Sequence, residues 1–388
     1  MARRPRLLYL VSEDWYFVSH RMPLAIAAKA AGFEVSVATR VIHHGDRIRN
    51  AGLNLIPINF QRSGLEPFRE LRSIAELRSI YRRVAPDLVH NVALKPVLYG
   101  TFAARSAAAP GIVNALMGLG WVFSSDRAKA RALLPLVKRA LRRALSGPHT
   151  RVIVQNSDDA KLLVDQNLAR PEFIRLIRGS GVDPNNYTKE QPPPGTPLVV
   201  LPARLIADKG VREFVAAAAM LKSQGIAARF ALVGAPDLEN PSSLTHQEIK
   251  RFVEEGHVEY WGWQADMPGV LRAASIVCLP TYYGEGLPKC LLEAAASARA
   301  MVATDVPGCR ELVRQSENGW LVPPRNVPLL AAALREAISQ PELCAKYGAS
   351  GKALVEREFS IDRVAVQTVA VYRELCGGQT TKPNVDQD

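Results

Sequence analysis

The chain has 388 residues, 48% of them hydrophobic, and a formal net charge of +12. This length predicts two domains of about 150 to 200 residues each. The apolar run 7–11 is too short for a signal peptide, and charged residues interrupt every candidate for a span of about 20 apolar residues, so neither secretion nor a membrane-spanning helix is expected.

Charges and cysteines are unevenly distributed along the chain. Residues 1–190 hold 29 Lys or Arg against 15 Asp or Glu, whereas the remainder holds 20 against 22. We therefore expect an anionic partner for the N-terminal half, which can be nucleic acid, an acidic bilayer or a phosphorylated substrate. All 5 cysteines lie in the second half without a C-x-x-C pair, which indicates a reducing, cytosolic compartment and no metal site.

Short apolar runs alternate with helix-like segments along both halves of the chain, a pattern that favours parallel sheets covered by helices on both faces. The first series of strands is predicted at 7–11, 34–38, 53–58, 87–92, 112–116 and 152–155. The second is predicted at 198–201, 229–233, 258–261, 275–279, 301–304 and 320–322. The predicted fold class is α/β, with two Rossmann-like, doubly wound parallel-sheet domains facing a cleft that holds the ligand.

The proline-rich stretch 191–197 lies between the two series and suits a stiff interdomain linker. We therefore predict an N-terminal domain over residues 1–190 and a C-terminal domain over 191–360. A last helix is predicted over 361–376, where it can pack back on the N-terminal domain. The polar tail 377–388 is expected to be disordered.

The segment 283–293 carries two acidic residues at the spacing E-x7-E and follows a predicted strand. Pro288 suits the first turn of the next helix, which leaves Glu285 in the loop and puts Glu293 more than a turn into the helix. The amides of Gly286 and Leu287 would then face the cleft. Free amides at a helix N-terminus favour an anion or an oxygen-rich sugar.

This motif resembles the donor-site signature of retaining family 4 glycosyltransferases of the GT-B fold. The resemblance implies that Glu285 contacts the donor sugar and that Glu293 binds the ribose hydroxyls. Arg204 and Lys209 follow the first strand of the second series and resemble the family's cation pair, which would stabilise the departing diphosphate. The loop that would read the base includes Trp261, Gly262 and Gln264.

Three loops of the N-terminal half, at 15–23, 89–96 and 117–123, are expected at the opposite rim of the cleft. Their order resembles the branch of family 4 that builds capsular, O-antigen and N-glycan precursors on a polyprenyl diphosphate. Met117 occupies the position at which many family members carry a catalytic His, so His20 and His90 are the candidates for a contact to the sugar. The residues predicted on the acceptor side are Tyr16, His20, Arg21, Lys95, Gly118 and Gly120.

The resemblance implies transfer of a sugar, with retention of configuration, from a nucleotide diphosphate sugar to a hydroxyl of a lipid-linked glycan. UDP is the expected carrier, and neither a metal nor a cofactor is expected. The alternative is a nucleotide-sugar 2-epimerase of the same architecture, which would convert the donor without an acceptor. A nucleic-acid partner is not expected, because the most basic stretch lacks aromatic residues for base stacking.

Residues 126–145 combine cations with leucines at helical spacing. Leu134, Val137, Leu141 and Leu145 form one apolar stripe, which predicts a basic amphipathic helix lying at the inner face of the cytoplasmic membrane. The alternative is a domain helix whose stripe packs on the sheet, and Pro135 argues against a long regular helix. The cations predicted to contact anionic lipid are Lys138, Arg139, Arg142 and Arg143.

Overall fold

The computed structural model describes residues 3–60, 67–119, 128–188 and 192–377. Within these ranges the strands form two parallel sheets, one of seven and one of six strands. Both sheets are covered by helices on their two faces, and buried apolar side chains line both faces of each sheet. This arrangement confirms the predicted α/β class.

The first sheet contains the strands Arg6–Glu13 (β1), Glu34–Arg40 (β2), Asn54–Pro57 (β3), Leu88–Val92 (β4), Gly111–Leu116 (β5), Thr150–Val154 (β6) and Ile174–Leu176 (β7). Their spatial order is β3-β2-β1-β4-β5-β6-β7, so the chain reverses its direction of winding between β1 and β4. The accompanying helices are Asp14–His20 (α1), Met22–Ala30 (α2), Gly45–Asn50 (α3), Pro67–Val84 (α4), Leu94–Ser106 (α5), Ala128–Leu145 (α6) and Ser157–Asp165 (α7).

The second sheet contains the strands Leu198–Pro202 (β8), Arg229–Val233 (β9), Glu259–Gly262 (β10), Ile276–Leu279 (β11), Ala300–Thr304 (β12) and Gly319–Val322 (β13). Their order is β10-β9-β8-β11-β12-β13, the same doubly wound pattern with one strand fewer. The helices that follow residue 210 are Val211–Ser223 (α8), His246–Glu254 (α9), Met267–Ala273 (α10), Lys289–Ala296 (α11), Cys309–Leu312 (α12), Val327–Ser339 (α13), Pro341–Leu354 (α14) and Ile361–Cys376 (α15).

Every strand predicted from the sequence is present, with ends that differ by at most about two residues. One strand was not predicted, and one local prediction is wrong. The sequence gives no signal for β7, whose three residues pair with β6 at the edge of the first sheet. The segment after β1, expected to be a loop, forms the helix α1, in which Phe17 and Val18 are buried against the core.

The last helix, α15, crosses from the second sheet to the first. A backbone bridge between Val182 and Ser360 marks the crossing, and α15 then packs against α2 and β5. The Tyr372 hydroxyl on α15 lies 2.6 Å from the Tyr9 hydroxyl on β1. The end of the chain therefore contributes to the N-terminal core.

Because the strands of each sheet are parallel, their carboxyl ends lie at one edge of the sheet, and the loops that follow them share that edge. Among the described residues, no helix is long and apolar enough to span a membrane. The predicted disordered tail from residue 378 onward lies outside the described residues.

Candidate functional site

Two loops of the second sheet, which follow β8 and β11, meet around Glu285. The Lys209 ammonium donates to Oε1 of Glu285, and the Thr281 hydroxyl lies 3.1 Å from the same oxygen. The Thr281 hydroxyl and the Tyr282 amide each lie 3.0 Å from the carbonyl oxygen of Asp208. Glu285 is buried, with 8% of its surface exposed. The predicted sugar-contacting carboxylate and one predicted cation therefore form a single constellation.

Gly210 keeps these two loops in contact. It has a φ of +74°, and a Cβ atom at this position would lie 2.0 Å from the carbonyl oxygen of Pro280. Only glycine combines this left-handed backbone with such a close approach. Gly210 directly after Lys209 is therefore required for the backbone to bring Lys209 to Glu285.

The loop that carries Glu285 also touches the N-terminal domain. Gly118 has a φ of +99°, and a Cβ on it would lie 2.2 Å from the carbonyl oxygen of Gly284. The Asn156 side chain donates hydrogen bonds of 3.1 and 2.9 Å to the carbonyl oxygens of Glu285 and Gly286. The two domains thus meet at the predicted Gly118 and Gly286 positions, whereas Gly120 lies outside the described residues.

Leu287 and Pro288 connect this loop to α11. The sequence predicts Pro288 in the first turn of this helix. Its backbone angles are extended, φ −65° and ψ 119°, and it is instead the residue before the helix. The Leu287 side chain is buried, and it packs so close to Gly179 that a Cβ there would lie 2.8 Å from Cδ2 of Leu287. Leu287 therefore anchors the loop through its side chain.

Glu293 lies more than one turn into α11, as predicted, and is 7% exposed. The Tyr187 hydroxyl donates to Oε1 of Glu293 over 3.1 Å, and the Lys289 ammonium lies 3.3 Å from the same oxygen. Burial, followed by the charge of Glu293, raises the pKa of Tyr187, so its hydroxyl remains a donor. Lys289 also donates to the Ser19 hydroxyl of the N-terminal domain over 3.1 Å. Sequence reasoning missed both partners of Glu293.

Arg204 lies beside the same edge but has a different partner from Lys209. Its Nη1 donates to Oδ2 of Asp237, in the loop after β9. The Arg204 side chain is 37% exposed, whereas that of Asp237 is 13% exposed. Burial raises the pKa of the Tyr16 hydroxyl, and the charges of Arg21, Arg204 and Glu285 have smaller effects on it.

The segment predicted to read a base lies at the end of β10. Trp261 turns its indole to Glu259, with an Nε1 to Oε2 distance of 2.9 Å. The Gln264 amide donates to the Trp261 carbonyl oxygen over 2.6 Å, and the carbonyl oxygen of Gly262 accepts from the Gly234 amide at 2.8 Å. Trp263, within the same predicted segment 261–264, is the more exposed of the two tryptophans, with 70% of its surface exposed.

Three predicted acceptor-side residues are grouped around α1. The rings of Tyr16 and His20 stack with centroids 4.2 Å apart and an interplanar angle of 6°. Arg21 is 3% exposed and donates to the Met117 sulfur. Burial, followed by the positive charges of Lys289 and Arg21, holds the pKa of His20 well below its ordinary value. His20 is therefore a neutral imidazole in a basic region.

His90 and Lys95 are placed differently. His90 lies on β4, is 1% exposed, stacks on Tyr9 and has its Nδ1 2.6 Å from the Tyr372 hydroxyl, all within the N-terminal core. Lys95, at the start of α5, pairs with Glu70 at 2.8 Å. The structure therefore does not bring these two side chains together with His20.

The prediction that the apolar stripe of α6 faces lipid is wrong. Leu141 and Leu145 on α6 are fully buried in the core under the first sheet, and Val137 packs against the same cluster. A helix of this composition covers a sheet as readily as a bilayer, and here the sheet is its apolar partner. The helix runs through Pro135 without ending.

The four cations predicted on α6 divide into two pairs. Lys138 donates to the Gln166 side chain over 2.7 Å, and Arg142 donates to the Asn167 carbonyl oxygen over 2.8 Å, so both contact α7 or its end. Arg139 and Arg143 are exposed. Leu136, on the same outer side, is 66% exposed.

The five cysteines are free thiols, and Cys278 and Cys309 are buried. Among the residues that the structure describes, no group of three or more His, Cys, Asp or Glu side chains is arranged to hold a metal ion. The site is therefore built from two carboxylates, at least three cations, neutral side chains and backbone groups.

Two Rossmann-like domains that meet over Glu285 form the GT-B fold. The crystal structure of Anabaena HepE in complex with UDP-glucose shares the fold, with a TM-score of 0.75 and 18% sequence identity over 95% of this chain and 99% of that one. Residues 196–340 match the family described as Glycosyl transferases group 1, and residues 6–156 match Glycosyl transferase 4-like. The chain belongs to these family 4-like glycosyltransferases.

Two curated relatives span most of the chain. It is 29% identical over 332 residues to the N,N'-diacetylbacillosaminyl-diphospho-undecaprenol alpha-1,3-N-acetylgalactosaminyltransferase of Campylobacter jejuni, covering 82% of this chain and 84% of the relative. It is 24% identical over 267 residues to the UDP-Gal:alpha-D-GlcNAc-diphosphoundecaprenol alpha-1,3-galactosyltransferase of Escherichia coli, covering 66% and 67%. Both relatives are glycosyltransferases named for a sugar linked to undecaprenol through a diphosphate.

Proposed function

We propose that this glycosyltransferase moves a sugar from a UDP-linked donor to a hydroxyl of a polyprenyl-diphosphate-linked glycan, with retention of configuration. The observation that carries the proposal is the arrangement of Glu285 and Glu293. Both carboxylates are buried at one sheet edge, one held by Lys209 and the other by Tyr187 and Lys289. In this proposal Glu285 contacts the donor sugar and Glu293 binds the ribose.

The cations of the site act on the charge that develops when the diphosphate departs. Arg204 and Lys209 bind its oxygens, Arg as a planar fork and Lys as a point charge. Trp261, Gly262 and Gln264 line the position of the base, and the amides of Gly286 and Leu287 face the sugar phosphate. Since these groups are fixed before the reaction, they stabilise the transition state without reorganisation.

The acceptor binds on the N-terminal side of the cleft, next to Tyr16, His20, Arg21 and Gly118. His20, as a neutral imidazole, forms a hydrogen bond to a sugar hydroxyl rather than an ion pair. The leaving phosphate takes the proton of the attacking hydroxyl on the same face of the donor sugar. A lipid diphosphate acceptor is supported by the names of the Campylobacter and Escherichia relatives and by the basic N-terminal half.

A panel of nucleotide sugars tested against polyprenyl-diphosphate sugars identifies the donor and acceptor, and NMR of the product then reports its anomeric configuration. We expect the anomer of the donor to be kept, because in the proposed mechanism the acceptor hydroxyl attacks the face of the sugar from which the phosphate leaves. A product of the opposite anomer contradicts retention.

We expect Tyr187→Phe to weaken donor binding about tenfold with kcat nearly unchanged, since a hydrogen bond to a charged group is lost at a distance from the reacting carbon. Calorimetric titration with UDP and steady-state kinetics measure the two effects. Tyr347→Phe is the matched control, because Tyr347 packs beside Trp320 in the same domain. Equal UDP affinity in wild type and Tyr187→Phe refutes this role.

We further propose that the protein associates with the inner face of the cytoplasmic membrane from its surface. The exposed side of α6, with Arg139, Arg143 and Leu136, replaces the buried stripe as the contact. Lys138 and Arg142 contribute charge while they remain bonded to the body of the domain. Each cation near an anionic surface adds about 1 kcal/mol of attraction, which salt screens within a Debye length of about 10 Å.

This association predicts that the chain co-sediments with vesicles containing anionic lipid and that high salt releases it. The double change Arg139→Gln and Arg143→Gln should weaken sedimentation about tenfold or more, as two cations are lost. The control is Arg335→Gln with Lys346→Gln, two exposed cations of the C-terminal domain. Equal losses in both pairs, or none in either, argue against α6 as the contact.

A further inference from the structure

The loop after β9, residues 234–245, forms a wall beside the proposed diphosphate site. Gly234 has a φ of +143°, and a Cβ on it would lie 1.9 Å from the carbonyl oxygen of Ala203, so the loop starts in direct backbone contact with the residue before Arg204. The Leu205 amide then donates to the Ala235 carbonyl oxygen over 2.9 Å. The backbone on both sides of Arg204 is therefore fixed by this loop.

The far end of the loop is fixed to the same segment. The Ala207 amide donates to the Ser242 carbonyl oxygen over 2.7 Å, and the Ser242 hydroxyl donates to Asp208 over 2.8 Å. The Asp237 amide in turn donates to the Ser243 hydroxyl over 3.0 Å. Asp237 thus belongs to a rigid, internally bonded loop rather than to a free surface turn.

The Asp237 carboxylate is directed at one nitrogen of the Arg204 guanidinium. Its Oδ2 accepts from Nη1, while Nε and Nη2 of Arg204 have no hydrogen-bond partner among the residues that the structure describes. An Arg fork held at one terminal nitrogen retains one edge, formed by its other two nitrogens, that matches two oxygens of a phosphate. Arg204 follows β8 at the carboxyl edge of the second sheet, the edge that also carries Lys209 and Glu285.

We propose that Asp237 is a positioning residue for the nucleoside diphosphate: it holds Arg204 by Nη1 so that Nε and Nη2 bind the phosphate oxygens. The inference rests on the proposed donor site and adds to it Asp237, which acts through Arg204. The gain in phosphate binding from an oriented Arg204 outweighs the repulsion between Asp237 and the phosphates, because the Asp237 charge is already paired with Arg204. A second pair on the loop, Glu239 with Arg40 at 3.0 Å, does not involve Arg204 and supplies a matched control.

The test uses calorimetric titration of the full chain with UDP, GDP and dTDP, and with the nucleoside of whichever one binds. We expect Asp237→Ala to weaken the nucleoside diphosphate about tenfold and to leave the nucleoside unchanged. Asp237→Asn, which keeps an acceptor oxygen for Nη1, should lose less than Asp237→Ala. In an Arg204→Ala background neither change should have any effect, and Glu239→Gln should bind as wild type does.

Three results overturn the inference. Tighter diphosphate binding by Asp237→Ala means that the carboxylate competes with the ligand. Equal loss of the nucleoside means that the loop has only been distorted, and a loss that persists without Arg204 means that Asp237 acts through another group. Failure of the proposed donor site gives a different result from failure of this inference, because Arg204→Ala and Lys209→Ala would then leave nucleotide binding unchanged. A wild-type chain that binds none of the three nucleotides refutes both proposals.

Discussion

Replacing Glu285 by Gln should lower kcat about a hundredfold or more while the affinity for UDP changes little. The carboxylate lies at the meeting point of Lys209 and Thr281, in the loop proposed to hold the donor sugar. Gln keeps the shape and loses the charge, so an interaction with the reacting sugar that strengthens in the transition state is removed. Steady-state kinetics with saturating acceptor measure kcat, and titration with UDP measures binding.

Glu293→Ala should have the opposite pattern, with a larger effect on UDP binding than on kcat. The ribose contacts are lost, so UDP binding weakens about tenfold to a hundredfold, whereas kcat at saturating donor falls less. Glu248→Gln is the control for both variants, because Glu248 is a carboxylate of the same domain paired with Arg212 on the surface. Normal activity of both site variants would remove the donor site from this sheet edge.

Arg204→Ala and Lys209→Ala should each cost about 2 to 4 kcal/mol of transition-state stabilisation, the range observed when one preorganised charge-stabilising donor is removed. The effect of Lys209→Ala should depend on Glu285, because loss of Lys209 leaves Glu285 buried without its cation. The double variant Lys209→Ala with Glu285→Gln should therefore cost less than the two single changes together. Values of kcat/KM for the four proteins give this coupling.

Arg212→Ala is the control for the cations, since an exposed Arg paired with Glu248 should alter activity by no more than about 0.5 kcal/mol. If the cations stabilise the diphosphate, transfer should also continue in EDTA. Loss of activity in EDTA that magnesium restores would show that a metal, rather than Arg204 and Lys209, stabilises the charge of the leaving group.

The strands and the loop that carries Glu285 were predictable from the sequence, because buried parallel strands form continuous apolar runs and the E-x7-E motif lies within one loop and the helix that follows it. The helix α1 was not predictable in this way. Its aromatic and β-branched residues have modest helix propensity, and the packing of Phe17 and Val18 against the core determines its structure.

The partners of the site residues were also missed, for a different reason. Tyr187 lies 106 positions from Glu293, and Asp237 lies 33 positions from Arg204. Such pairs are created by the meeting of loops, and a single sequence has no local pattern for them. Lys289 is the exception, since its i,i+4 spacing to Glu293 on one helix could have identified it.

The α6 stripe shows a limit of hydrophobic patterns. Leu141 and Leu145 have the spacing of a helix with one apolar face, and that spacing is the same whether a sheet or a lipid surface covers the face. The buried positions of both leucines decide the question in favour of the sheet. Only the exposed residues of the helix remain available for a membrane.

Transfer of a sugar to an acceptor can be tested by measuring release of the nucleoside diphosphate from its sugar with and without a polyprenyl-diphosphate sugar. A transferase that uses the proposed site should release the nucleoside diphosphate in proportion to the acceptor consumed, and negligibly without it. Conversion of the nucleotide sugar into its 2-epimer in the absence of acceptor would contradict the account and identify the chain as an epimerase.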